Sequence, residues 1–206
     1  MSLADAVNAA ARRVPVRAVY ALGLVPLALL VGRGVTGDLG VDPVKTIEHD
    51  LGLRALQFLL LGLCITPLRR FAGVNLLRFR RALGLTAFLY VALHLAVWLL
   101  LDLQLRWSEI GADLVKRPYI VLGMAGFAVL VPLALTSTDS AVRRMGAAAW
   151  RRLHRLTYAA VLLGAAHYLI LVKAWPIEPI LYALAAVALV LLRLWPSARR
   201  RVAAQG

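Results

Sequence analysis

Trp150–Tyr168 reads WRRLHRLTYAAVLLGAAHY, a stretch that begins basic and interfacial and turns into a long apolar helix. It carries two of the chain's four histidines, His154 at its entrance and His167 thirteen residues later. At about 1.5 Å of rise per residue the two stand about 20 Å apart along a helix axis, two-thirds of a ~30 Å hydrocarbon core. An ionisable side chain at that depth is costly and usually functional. The intramembrane work that suits a neutral imidazole is ligation of a metal or of haem iron. The same spacing rotates the second ring by about 220° from the first, so the pair need not serve one cofactor.

The rest of the chain agrees with a membrane setting. Of its 206 residues 62% are hydrophobic, against roughly 45–50% apolar in soluble domains, and the mean hydropathy is +0.78. The net charge of +14 would suggest nucleic acid in a soluble protein. Here the basic residues gather at the ends of apolar runs, where topology and anionic lipid account for them, so no nucleic-acid partner is expected. Cys64 is the single cysteine and no CxxCH occurs, which excludes covalent c-type haem attachment. Gly32, Gly34, Gly37 and Gly40 follow no strand and make no dinucleotide fingerprint. Acids are absent from the centres of the apolar runs, which argues against a proton-driven pump.

Six apolar segments predict an all-α, single-domain membrane bundle: about Val16–Gly32, Leu51–Leu68, Ala82–Leu101, Pro118–Leu135, Leu156–Val172 and Ile177–Leu194. The first is read as a retained span, and Trp98, Trp107, Trp150, Trp175 and Trp195 as markers of span ends. The N-terminus, the second-to-third and fourth-to-fifth connections and the tail, including Arg199, Arg200 and Arg201, hold 17 of the 24 basic residues. The opposite side holds eight of the ten acids. By the positive-inside rule both termini are expected in the cytoplasm.

His94 lies thirteen residues beyond Arg81 on the third span, and His167 thirteen beyond His154 on the fifth. Both start from the cytoplasmic side, so the two rings are expected at matching depth in the outer half. There they would ligate one b-type haem from both axial faces, between spans three and five. In the competing reading each ring hydrogen-bonds a neighbouring helix. His154, level with Arg80 and Arg81, is either a ligand of a second, inner haem or an interfacial histidine among arginines. Arg80, Arg81, Arg151 and Arg152 would neutralise haem propionates or simply set topology. His49, at the outer mouth of the second span, either is solvated or touches a cofactor or quinone.

Runs of the sequence also carry a family resemblance: GVDPVKTIEHDLGLRAL (40–56), CITPLRR (64–70), RFRRALGLTAFLYVALHL (78–95), KRPYIVLGMAGF (116–127), LTSTDSAVRRMGAAAWRRLHRLTY (135–158) and AAHYL (165–169). In this order they resemble the haem-binding membrane subunits of bacterial periplasmic methionine sulfoxide reductase systems, in the ferric-reductase-like transmembrane superfamily. The resemblance runs from about Val14 to Trp195. It implies six spans, b-type haem, an inner-membrane location and electron transfer outward to a molybdenum-containing periplasmic reductase. A flavin mononucleotide (FMN) is also attributed to that family. His94, His154 and His167 match the family's histidines, whereas Arg80 or Arg81 stands where two-haem relatives have another histidine. With no nucleotide-binding domain in view, the expected donor is membrane quinol or a separate cytosolic flavin reductase, and the chain is an electron-transfer subunit rather than a catalytic one alone. The alternatives are a stand-alone quinone-linked cytochrome b or metalloreductase, and a non-redox scaffold or transporter with structural histidines.

Overall fold

A computed structural model describes residues 1–172, 174 and 176–194, and among these all regular secondary structure is helical. Lys173, Trp175, Trp195 and the basic tail at Arg199, Arg200 and Arg201 lie outside the described residues. Ten α-helices follow in order: α1 (Leu3–Arg13), α2 (Val16–Val35), α3 (Pro43–Phe71), α4 (Arg80–Val97), α5 (Trp107–Lys116), α6 (Pro118–Leu135), α7 (Asp139–Met145), α8 (Ala147–Leu153), α9 (Thr157–Leu171) and α10 (Ile177–Leu194).

Five helical runs are long and apolar enough to cross a membrane: α2, α3, α4 with its flanking turns (Leu77–Asp102), α6 and α10. The expected fifth span is α9, which has 15 residues and rises only about 22 Å. A 3₁₀ turn at His154–Leu156 joins it to α8. By length, then, five runs qualify where the hydropathy pattern predicted six. Yet α9 is central to the packing. Ala160, Val161 and Ala165 on it are nearly inaccessible and meet Leu56, Leu59, Leu60 and Leu63 of α3, Leu130 and Leu133 of α6, and Ala186 of α10.

Local chemistry sets the helix starts. Ser2 and Asp5 form a reciprocal capping box at α1, and Asn8 fastens α1 to the turn after α3 through Gly73 O (3.0 Å) and Asn75 N (2.7 Å). Asp42 caps α3 by accepting from Lys45 N, with Pro43 at the first helical position. That cap corrects the expected boundary. α3 begins eight residues before Leu51, so His49 sits on a helix instead of in a loop. The outer connection after α4 is also no plain loop. A π turn at Trp98–Asp102 leads into α5, whose Ile110 and Leu114 pack with Trp98, Leu103 and Ile120. Trp98, expected at an interface, is therefore buried beneath α5, while Trp107 is exposed.

Pro26 lies inside α2. By helix register the Leu27 amide and the Gly23 carbonyl one turn back face each other, and the fully buried Tyr90 hydroxyl reaches both. It accepts from Leu27 N (2.9 Å) and donates to Gly23 O (2.9 Å). Close approach of the two helices is possible because Gly23 has no side chain: a Cβ there would stand 2.8 Å from Thr86 of α4. Tyr90→Phe should take the hydroxyl from both backbone groups and cost about 1–3 kcal/mol, read as a lower Tm in detergent. An unchanged Tm would mean that the two groups satisfy each other without the hydroxyl.

Candidate functional site

The strongest helix pairings are α3 with α4 and α6 with α9. Each pair is an antiparallel couple that carries one histidine towards the outer end. His94 on α4 places Nδ1 2.8 Å from Glu48 O of α3, and His167 on α9 places Nδ1 2.6 Å from Tyr119 O of α6. A carbonyl can only accept, so in a neutral ring each Nδ1 carries the proton and donates it. Each Nε2 then keeps its lone pair, the tautomer that a metal-ligating histidine needs.

The two rings meet across the bundle. Their centroids are 6.1 Å apart and their planes cross at 82°. Two metal–nitrogen bonds of about 2 Å each, added to the half-widths of two imidazoles, span about 6 Å. The pair is therefore spaced for one metal ion held from both sides. It borders a cavity of 340 Å³ with mainly apolar walls, among them Leu56, Val91, Phe127 and Leu130. Among the described residues no cluster of three or more metal-ligating side chains forms, so this two-imidazole arrangement is the site's own chemistry. Haem iron, which takes its other four ligands from the macrocycle, fits it.

Polar groups collect at the outer mouth of the cavity. Lys45 lies 3.3 Å from Asp102 and 3.9 Å from Glu48, clipping the ends of α3 and α4 together. Arg117 pairs with Asp113 at 3.1 Å. His49 lines the mouth and is exposed.

At the opposite end of the bundle a second cavity of 630 Å³ contains His154, Arg80 and Arg81 in its wall, with Arg151, Arg152 and Arg193. His154 differs from the outer pair. Its Nε2 is 3.1 Å from Thr136 Oγ1, whose own proton goes to Pro132 O at 2.6 Å, so His154 Nε2–H is the donor. Trp150 stacks on the ring at 3.8 Å and donates Nε1–H to Thr136 O. Burial, and then the nearby Arg81 charge, lowers the His154 pKa from its ordinary value. Arg81 itself pairs with Asp139 at 2.7 Å and holds that carboxyl below the usual range. Arg80 donates to Thr66 Oγ1, as does Arg193 Nε at 2.9 Å, while Arg80 Nε is buried without a partner. The Arg193 guanidinium also lies 5.4 Å from the Tyr158 ring centre. Among the described residues no carboxylate lines this cavity. Two guanidiniums around one hydroxyl, with further arginines in the wall, make a receptor for an anionic group.

Of the residues singled out from the sequence, the structure sets His94 beside His167 in one group and His154 with Arg80 and Arg81 in another. Sequence reasoning gave no site role to Gly52, against which the His94 ring packs, or to Gly123, the seat of the His167 ring. A small residue four positions after the accepting carbonyl is the signal that marks both.

Residues 51–165 match the family model of the ferric reductase like transmembrane component, more than half of the chain. A protein of Brucella anthropi is 49% identical over 183 residues, covering 88% of this chain and 83% of its own. Its name is protein-methionine-sulfoxide reductase heme-binding subunit MsrQ. Proteins of the same name from Brucella ovis and Brucella canis are each 50% identical over 175 residues, 85% of this chain and 79% of theirs. The chain belongs to the MsrQ family of ferric-reductase-like transmembrane components. The matched segment contains His94, His154, Arg80, Arg81, Gly52 and Gly123, and His167 stands two residues past its end.

The inner cluster can be probed directly. Thr66→Val removes the hydroxyl shared by Arg80 and Arg193 and should destabilise the protein by about 1–3 kcal/mol, measured by thermal unfolding in detergent. The same Tm as wild type would show that the arginines find other acceptors.

Proposed function

We propose that this chain is the membrane cytochrome b subunit of a periplasmic methionine sulfoxide reductase system, with haem b held by His94 and His167. The observation that carries this reading is the 6.1 Å separation of two imidazoles that each keep Nε2 for a metal. When bound, haem supplies one-electron redox chemistry.

The residues of the chain do the rest. His94 and His167 would hold the iron, while the Glu48 and Tyr119 carbonyls fix the rings and raise their basicity and the apolar walls exclude water. His154, Arg80 and Arg81 line the inner cavity and would hold an anionic, propionate-bearing group there. Six spans, α9 being the fifth, place both termini in the cytoplasm of a bacterial inner membrane. The basic inner face then attracts a flavin reductase or the headgroup side of quinol traffic, and electrons leave at the outer mouth. The acceptor is a molybdenum-containing methionine sulfoxide reductase docked on residues 34–50 and 103–117. Repair suits that side, because methionine sulfoxide is polar, disrupts packing and is reversible by reduction.

Haem-to-protein stoichiometry and reduced-minus-oxidised spectra test this. His94→Ala and His167→Ala should each lose the outer haem or leave it partly high-spin, since b-type haem has no covalent tether. His154→Ala, Arg80→Ala and Arg81→Ala should spare it and affect only an inner haem. A colourless wild-type protein would sink the reading, as would full low-spin haem in His94→Ala.

The topology has its own check. Reporter fusions after Asp38 and Glu109 should report periplasm, and fusions after Arg70 and Arg144 cytoplasm. A reversal at any of the four would break the six-span assignment. For the partner, scrambling residues 34–50 and 103–117 while haem content stays intact should abolish electron delivery to the periplasmic reductase. Delivery at the wild-type rate would place docking elsewhere.

A further inference from the structure

His94 and His167 are seated by one device used twice. In each case the accepting carbonyl lies four residues before a glycine on the facing helix: Glu48 before Gly52 on α3, Tyr119 before Gly123 on α6. By helix register that carbonyl already accepts from the glycine's own N–H, so it serves two donors. The ring then lies over the glycine's missing side chain. A Cβ on Gly52 would stand 3.2 Å from both Cε1 and Nδ1 of His94. A Cβ on Gly123 would stand 2.9 Å from Nδ1 and 3.1 Å from Cε1 of His167. Both contacts fall on the edge of the ring that makes the carbonyl bond. A methyl on Gly123 must therefore displace the imidazole, and one on Gly52 presses the ring away by a few tenths of an ångström.

We propose that Gly52 and Gly123 are positioning residues that, each with the carbonyl one turn before it, set the two axial imidazoles perpendicular to one another. The inference rests on the haem reading above. Two consequences follow for the iron. Perpendicular imidazole planes leave the two iron dπ orbitals nearly equal in energy, whereas parallel planes split them. The carbonyl bond makes each imidazole a stronger donor, which favours ferric iron and keeps the potential low.

The experiment uses the full-length protein purified in detergent with its haem. Ferric low-spin EPR spectra, haem stoichiometry and midpoint potential are recorded for wild type, Gly52→Ala, Gly123→Ala and Gly32→Ala. Gly32 of α2 has open space where its Cβ would go. Wild type should show one strongly anisotropic low-field feature. Gly123→Ala should replace it with a rhombic three-line spectrum and shift the potential positive, with haem still bound. Gly52→Ala should change in the same sense but less, since its neighbour has only to give by a few tenths of an ångström. Gly32→Ala should match wild type. If Gly123→Ala does not accumulate, the milder Gly52→Ala decides. A rhombic wild-type spectrum, or wild-type EPR and potential in Gly52→Ala, overturns the inference while leaving the haem reading intact. Wild-type protein without haem overturns both.

Discussion

A ring nitrogen deep in an apolar bundle must find a partner inside the protein, because no solvent is there to supply one. Helical carbonyls provide it here, at Glu48 for His94 and at Tyr119 for His167. Much else depends on these two bonds. They fix which nitrogen carries the proton, bring α3 against α4 and α6 against α9, and leave two lone pairs for a central metal. Tyr90 obeys the same constraint one turn below His94, where its hydroxyl reaches the Leu27 amide and the Gly23 carbonyl on either side of Pro26.

The two ends of the bundle treat charge differently. At the end near His94 and His167, cations and carboxylates are matched, as in Lys45 with Asp102 and Glu48 and in Arg117 with Asp113. At the other end Arg80 and Arg193 share the neutral hydroxyl of Thr66, and among the described residues the cavity beside them has no acid in its wall. Desolvated guanidiniums without a counter-charge are costly, and burial alone takes Arg80 and Arg193 away from the screening that water gives surface charge. An arrangement of that kind holds its value only when an anion completes it.

What could be read from the sequence was what depends on distance along a helix. Thirteen residues from Arg81 to His94 and thirteen from His154 to His167 placed two rings at one depth, and the structure puts them side by side. Helix type and most span boundaries followed from hydropathy alone. What could not be read depends on which helices face one another. Gly52 beneath His94, Tyr90 against α2, and α5 over Trp98 are contacts between segments far apart in the chain. The start of α3 was misplaced for a different reason: five of its first eight residues are polar, and a cap, not hydropathy, begins the helix.

The placing of Glu48 and Gly52 above Leu56 on α3 also decides where the chain tolerates length changes. Leu56 is locked in the core by its neighbours on α6 and α9. One residue inserted between Gly52 and Leu56 would turn everything above it by about 100°, swinging the carbonyl and the bare glycine away from His94 together. No side-chain substitution could restore them, since both are features of the main chain. The four-residue step from Gly52 to Leu56 is thus held to a fixed count. The turn at Gly73 joining α3 to α4 seats no histidine; what it registers is α1, through the bonds of Asn8 to Gly73 O and Asn75 N.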